Sequence, residues 1–208
     1  MNAFYRFSLG VVRVVFPLWY HIDIQGKENI PQHGGYLFIS NHRSLADPVL
    51  IGMQTKKIQF SFLAKQELFE KPLLSRLFTK LGAIAVDRGA GDLSPIEELK
   101  TRLNNGHNAL IFPEGTRSKD GTLGKFKTGA ALLAAQTGVP VVPAAITFEG
   151  KLHFRSKIVV SFGKPFEVSV STPDDPQPKE LKSVKLEMTK AVSDLLLPLL
   201  TEQSDDRT

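Results

Sequence analysis

Apolar residues recur along the chain in two rhythms. Short continuous runs rich in β-branched and aromatic residues stand at 36–40 (YLFIS), 59–64 (QFSFLA), 83–87 (AIAVD), 109–112 (ALIF), 141–148 (VVPAAITF) and 157–162 (KIVVSF), and these read as strands. Between them the spacing lengthens to that of a helix over 48–54, 72–80, 95–105 and 128–137. A last helix is expected over 178–200, after the Pro- and Asp-rich connector TPDDPQP at 172–178. Ser94-Pro95-Ile96-Glu97 offers an N-cap, a proline at the first helical position and a capping-box glutamate, while Gly106 and Gly138 follow the ends of two helices. A strand that is apolar throughout has no side to give to water. The alternation of such strands with amphipathic helices therefore predicts an α/β fold, a mostly parallel central sheet covered by helices on both faces. The run 157–162 follows a hairpin-like FEGKLHFRSK and is a candidate antiparallel strand. No internal repeat or second core is evident, so residues 21–208 are expected to form a single domain.

The first twenty residues stand apart. FYRFSLGVVRVVFPLWY at 4–20 is interrupted by Arg6, Arg13 and Pro17, too short and too charged at its middle for a spanning helix of about 20 apolar residues. Its cations do not precede the apolar stretch and no small-residue cleavage site follows, so it is expected to be retained rather than removed as a signal peptide. Arg6 and Arg13 fall seven apart on one side of a helix, while Phe4, Phe7, Val11, Val14, Leu18 and Trp19 supply most of the rest. That mixture suits an amphipathic helix in a membrane interface, with Trp19 and Tyr20 at headgroup depth. A helix docked on the core fits the same pattern, and the segment alone leaves both readings open.

Composition narrows the class. A chain of 208 residues can bury roughly 70% of the surface it exposes when unfolded, so it needs no disulfide or metal staple. With 42% hydrophobic and 23% charged residues it is neither disordered nor a coiled coil. The absence of cysteine removes thiol nucleophiles, cysteine zinc sites, iron–sulfur clusters and disulfides together, and it suits a reducing compartment. A net charge of +5 favours an anionic partner. No basic helix or aromatic–basic stacking platform accompanies it, so nucleic acid is not expected.

The chemistry gathers in loops after the strands, where α/β proteins place ligands. After YLFIS comes Asn41-His42-Arg43-Ser44-Leu45-Ala46-Asp47-Pro48. An imidazole titrating near neutrality can take a proton from a hydroxyl if a carboxylate holds its other nitrogen, and Asp47, five residues on, can fold back to do so. Asp followed by Pro is also a routine helix N-cap, and that reading of Asp47 stands beside the first. After ALIF comes Pro113-Glu114-Gly115-Thr116-Arg117-Ser118-Lys119, in which Gly115 admits close approach of a ligand, Thr116 and Ser118 offer hydroxyls and Arg117 can fork onto a phosphate. Lys65 after the second strand and Arg88 after the third add cations, so four strand ends deliver His42, Lys65, Arg88 and Arg117 to one side.

Other chemistries lack their signatures: there is no G-x-S-x-G elbow, no G-x-x-x-x-G-K-[ST] loop, no G-x-G-x-x-G fingerprint and no H-E-x-x-H. The five histidines show no metal-ligand spacing, so neither metal nor cofactor is implied. A base with a carboxylate partner and several cations, but no enzyme nucleophile, points to a substrate that brings its own hydroxyl.

Taken together, these blocks resemble the glycerolipid acyltransferase family, and within it the 1-acyl-glycerol-3-phosphate (lysophosphatidate) acyltransferases. Asn41-His42 to Asp47 matches the N-H-x-x-x-x-D block, GAIAVDR ending at Arg88 the second, FPEGTRS from Phe112 to Ser118 the third and VPVVP from Val139 to Pro143 the fourth; the likeness covers roughly residues 20–165. The resemblance implies that His42 deprotonates the glycerol 2-hydroxyl, oriented by Asp47, and that the oxygen attacks an acyl thioester of coenzyme A or acyl-carrier protein to give phosphatidic acid. It implies that Arg117, with Arg88 and Lys65, holds the acceptor phosphate, that Glu114 and Gly115 shape the acceptor loop, and that Thr116 is a donor. It also favours an interfacial first helix at the anionic cytoplasmic face of the cell membrane; Leu68, Phe69, Leu73, Leu74, Leu77 and Phe78 fit either a second contact surface or the core packing of a short helix. Similar blocks occur in glycerol-3-phosphate, dihydroxyacetone-phosphate and lysophospholipid acyltransferases, so the acceptor stays open among these. A non-catalytic lipid-binding domain of the same fold is the other class, against which an intact His42 and Asp47 count.

Overall fold

A computed structural model describes residues 1–55, 58–87 and 94–205 of the chain. Seven strands form one sheet in the order β1-β7-β6-β2-β5-β3-β4, with β1 His21–Gln25, β2 Leu37–Ser40, β3 Phe60–Lys65, β4 Ala83–Val86, β5 Asn108–Ile111, β6 Val141–Phe148 and β7 Lys157–Phe162. The block β6-β2-β5-β3-β4 is parallel throughout. β7 turns back antiparallel to β6 and pairs in parallel with β1, so these two run against the block.

The alternate faces of the central strands feed two cores. Leu37, Ile39, Ala109, Ile111, Val141 and Ala145 point to one side, where they meet α4 (Ser94–Asn104), α5 (Thr128–Thr137) and α6 (Pro178–Asp205). Phe38, Leu110, Val142, Ala144, Ile146 and Phe148 point to the other, packed with α2 (Asp47–Gly52) and with Val12 and Phe16 of α1 (Ala3–Trp19). All eight residues of β6 are buried, which is why its sequence shows no polar alternation. α5 ends at Gly138, whose φ of 62° lets its N–H close on the Ala134 carbonyl in a left-handed cap. A nine-residue helix, α3 (Pro72–Lys80), lies beside β4, with Leu73 and Leu77 exposed and Phe78 turned inward.

β1 is the element the sequence pattern hides. HIDIQ carries only two apolar residues, because it lies at the sheet edge, pairs with β7 alone and leaves His21 and Asp23 exposed. The alternation of Ile22 and Ile24 is its one signal.

α1 does two things at once. Tyr5 and Leu9 are buried against the body, and Asn2 caps the helix by accepting from the Tyr5 N–H. The opposite face leaves Phe7, Val11, Val14, Leu18 and Trp19 exposed. Arg13 and Arg6, placed on one side of the helix by their spacing, differ in what they do: Arg13 Nε donates to the Met53 carbonyl at 2.9 Å and its second guanidinium nitrogen to the Thr55 carbonyl, so it fastens the helix to the end of α2 and is not free for an anionic surface. Arg6 is exposed. Trp19 packs edge-on to Phe154 of the β6–β7 hairpin, and the Arg155 N–H donates to the Trp19 carbonyl.

Candidate active site

Where β2 ends, Asn41 is buried and clamps the strand end to β6, donating to the Ile146 carbonyl and accepting from the Ile146 N–H. The next residue, His42, is thereby fixed at the carboxyl edge of the sheet. Its Nδ1 lies 2.8 Å from Asp47 Oδ2, and its ring stacks on Phe112, the residue after β5, at 4.2 Å between centroids. A carboxylate only accepts, so Nδ1 carries the proton in this contact, and in the neutral ring that leaves the lone pair on Nε2. Asp47 is fully buried, and its oxygens also accept from the Arg43 and Ser44 N–H groups and from the Ser44 hydroxyl. It opens α2 as the first helical residue, with Ala46 at the cap position; the carboxylate organises the preceding loop and the imidazole rather than capping the helix.

Glu114 joins this loop to the next. Buried, it accepts from the His42 N–H through Oε1 at 2.7 Å and from the Gly124 N–H through Oε2 at 2.8 Å. Burial pushes its carboxyl above the usual glutamate range, and these two N–H groups and the neighbouring histidine pull the other way. The Ser118 N–H donates to the His42 carbonyl at 2.7 Å. Farther along, exposed Asp120 accepts from the Thr122 hydroxyl and N–H and from Ser118, which holds its carboxyl down at about 2 and shapes the loop tip. Arg43, absent from the sequence-based candidates, donates to the Phe148 carbonyl, stacks over the Phe148 ring at 4.3 Å and lies against Gly121, binding both loops to the end of β6.

Two cavities open beside these residues. One of about 730 Å³ is walled by His42, Phe62, Leu63, Leu68, Phe78, Val86, Ile96 and Ile111, with Lys65, Arg117 and Lys127 also on its wall. A smaller one of about 400 Å³ is polar, bounded by Glu114, Thr116, Arg117, Ser118 and Lys125. The predicted residues therefore converge, with distinctions. His42, Lys65, Gly115 and Arg117 share the large cavity; Glu114, Thr116 and Arg117 share the small one. Lys65 is exposed and pairs with Glu67. Arg88 lies outside the described residues. Of the α3 patch, Leu68 and Phe78 line the large cavity while Leu73 stays exposed. Lys127 escaped the sequence reading because it lies nine residues past the end of the FPEGTRS motif at Ser118; only the Phe126-Lys127 return of the chain to Pro113, whose carbonyl accepts the Lys127 N–H, brings it back.

The chain matches the family model described as Acyltransferase over residues 21–147. It is 34% identical over 141 residues to a chloroplastic 1-acyl-sn-glycerol-3-phosphate acyltransferase of Brassica napus, a match covering 66% of this chain and 40% of that protein. It is 28% identical over 166 residues to the 1-acyl-sn-glycerol-3-phosphate acyltransferase of Bacillus subtilis, covering 77% of this chain and 81% of that one. The chain thus spans about two fifths of the plant relative it matches and most of the bacterial one. The crystal structure of the 1-acyl-sn-glycerophosphate acyltransferase of Thermotoga maritima superposes with a TM-score of 0.70 at 27% identity, covering 93% of this chain and 81% of that chain.

Proposed function

The chain belongs to the acyltransferase family, and from that premise we propose that it transfers an acyl group from a thioester to the 2-hydroxyl of 1-acyl-glycerol-3-phosphate, giving phosphatidic acid and a free thiol. The observation that carries the reading is His42, held 2.8 Å from the buried Asp47, on the wall of a cavity that is apolar along most of its length and also bears Arg117. An acyl chain fits the apolar wall and a phosphate fits the cation.

In this reading His42 Nε2 removes the hydroxyl proton while Asp47 holds the ring and offsets the positive charge that forms. The alkoxide attacks the thioester carbonyl, the tetrahedral intermediate expels the sulfur, and the imidazolium returns its proton to the thiolate. No covalent acyl-enzyme is needed. Phe112, stacked on the imidazole, and Glu114, bonded to the His42 N–H, keep the base in place. Lys65, Arg117 and, from the resemblance of the GAIAVDR block, Arg88 hold the acceptor phosphate, with Glu114 and Gly115 shaping its loop and Thr116 as a donor. The acyl donor is acyl-CoA or acyl-carrier protein.

Residues 21–208 act as one catalytic domain, and α1 rests on the anionic cytoplasmic face of a membrane as a peripheral anchor. Among the described residues no helix is long and apolar enough to cross a membrane, while the row Phe7, Val11, Val14 and Leu18 faces outward. Release of thiol from acyl-CoA or acyl-carrier protein, assayed with a panel of acceptors in liposomes, tests the proposal. Turnover greatest with lysophosphatidate supports it. Turnover greatest with a lysophospholipid diester or glycerol-3-phosphate replaces the acceptor, and no thiol release with any acceptor removes the reaction.

A further inference from the structure

The glycine of the Pro113-Glu114-Gly115 turn is not simply an opening for ligand. Its φ is 72°, and a Cβ built there would stand 2.8 Å from both Cε and Nζ of Lys127 and 3.1 Å from Cδ. The space a side chain would fill is occupied by the end of that lysine. The Lys127 backbone is fixed as well, since its N–H donates to the Pro113 carbonyl at 2.8 Å and its next residue begins α5. Loop and lysine are therefore built around each other, and the ammonium is delivered to the wall that also carries His42 and Arg117.

The charges on that wall are unequal in their freedom. Lys65 is paired with Glu67. Among the described residues neither Arg117 nor Lys127 has an ion-pair partner. Two uncommitted cations beside one base match a group bearing two negative charges. A phosphate monoester carries about −1.5 to −2 at neutral pH, whereas a diester carries a single charge.

Resting on the acyltransferase reading above, we infer that Lys127, held over Gly115, is a further acceptor-binding residue that adds its unpaired positive charge to that of Arg117, and that it selects monoester over diester acceptors. The lysine thereby contributes to specificity at a distance in sequence from the motif it serves.

Calorimetric binding of 1-acyl-glycerol-3-phosphate and of 1-acyl-glycerol-3-phosphocholine in mixed micelles tests this without requiring turnover. Lys127→Met keeps the stem and removes the charge. It is expected to weaken the monoester by roughly tenfold or more and the diester by less than about twofold. In the acyl-transfer assay the acceptor KM should rise by the same factor while the thioester KM holds. Gly115→Ala should give the same acceptor defect by displacing the ammonium, and the double variant should be no worse than either single one. Should Gly115→Ala fail to fold, Lys127→Met alone decides, because it leaves the turn untouched. Equal weakening of both acceptors, or a rise confined to the thioester KM, overturns the assignment. If the wild type binds the monoester in a Lys127-dependent way but transfers no acyl group, the inference stands and the reaction falls.

Discussion

Asp47 serves four donors with two oxygens: the imidazole, two backbone N–H groups and a hydroxyl. Asp47→Asn therefore replaces an acceptor by a donor in a fully buried place, and it is expected to cost stability as well as turnover. Thermal unfolding should show a loss of about 1–3 kcal/mol, and kcat should fall by roughly 10²-fold or more. Arg117, by contrast, is exposed, so Arg117→Ala should leave unfolding unchanged and raise the acceptor KM by the equivalent of about 1.5–3 kcal/mol, with lysine restoring only part because it lacks the planar fork. Glu114 predicts a pH effect. Its carboxyl, raised by burial in the folded chain, ionises at a cost to the folded state, and that cost is absent below about 4.5 and complete above the folded value. Glu114→Gln has no such term. The stability of the wild type relative to Glu114→Gln should thus decline between pH 4 and pH 7, as read by unfolding at both; a rising difference would mean that the His42 and Gly124 bonds outweigh desolvation. His42, Asp47, Glu114 and Arg117 were legible because each couple lies within one loop. Arg43 and Lys127 were not, since their roles depend on Phe148, Gly121 and Gly115, which only the fold brings beside them.

At the scale of the element, α1 docks on the core, one of the two readings its sequence left open, and keeps an outward apolar face on which the other is tested. The face with Tyr5, Leu9 and Arg13 docks on the body, and the face with Phe7, Val14 and Leu18 does not. The two faces should separate by experiment. Leu9→Ala is expected to destabilise the protein by roughly 2–5 kcal/mol with liposome affinity retained in the folded fraction. Phe7→Ser with Leu18→Ser should leave the melting temperature within about 2 °C and release the protein from anionic liposomes in sedimentation. Equal sedimentation of this double variant and the wild type would remove the interfacial role. Strands buried on both faces, such as β6, announce themselves as continuous apolar runs, and helices such as α3 and α5 by proline or glycine at their ends. β1 does not, because an edge strand with one buried face writes only Ile22 and Ile24 into the sequence.

Across the whole molecule, the parallel block turns the ends of its five strands to one edge, and chain order alone does not reveal which ends become neighbours. β2 lies between β6 and β5, so the His42 loop is flanked by the Phe148 end on one side and the Glu114 turn on the other, which is why Glu114 can reach the His42 N–H and Arg43 the Phe148 carbonyl. The strand-then-loop pattern foretold the edge; the large cavity beneath it, with Phe62, Phe78 and Ile96 from three different elements, follows from packing that no single segment encodes.

The central claim is that His42, held by Asp47, is the base of acyl transfer, and turnover by purified His42→Ala tests it most directly. Thiol release and phosphatidic acid formation from lysophosphatidate in anionic liposomes should fall by roughly 10²–10⁴-fold in kcat, with circular dichroism and melting temperature close to the wild type. A folded His42→Ala protein that forms phosphatidic acid at near the wild-type rate would contradict the account.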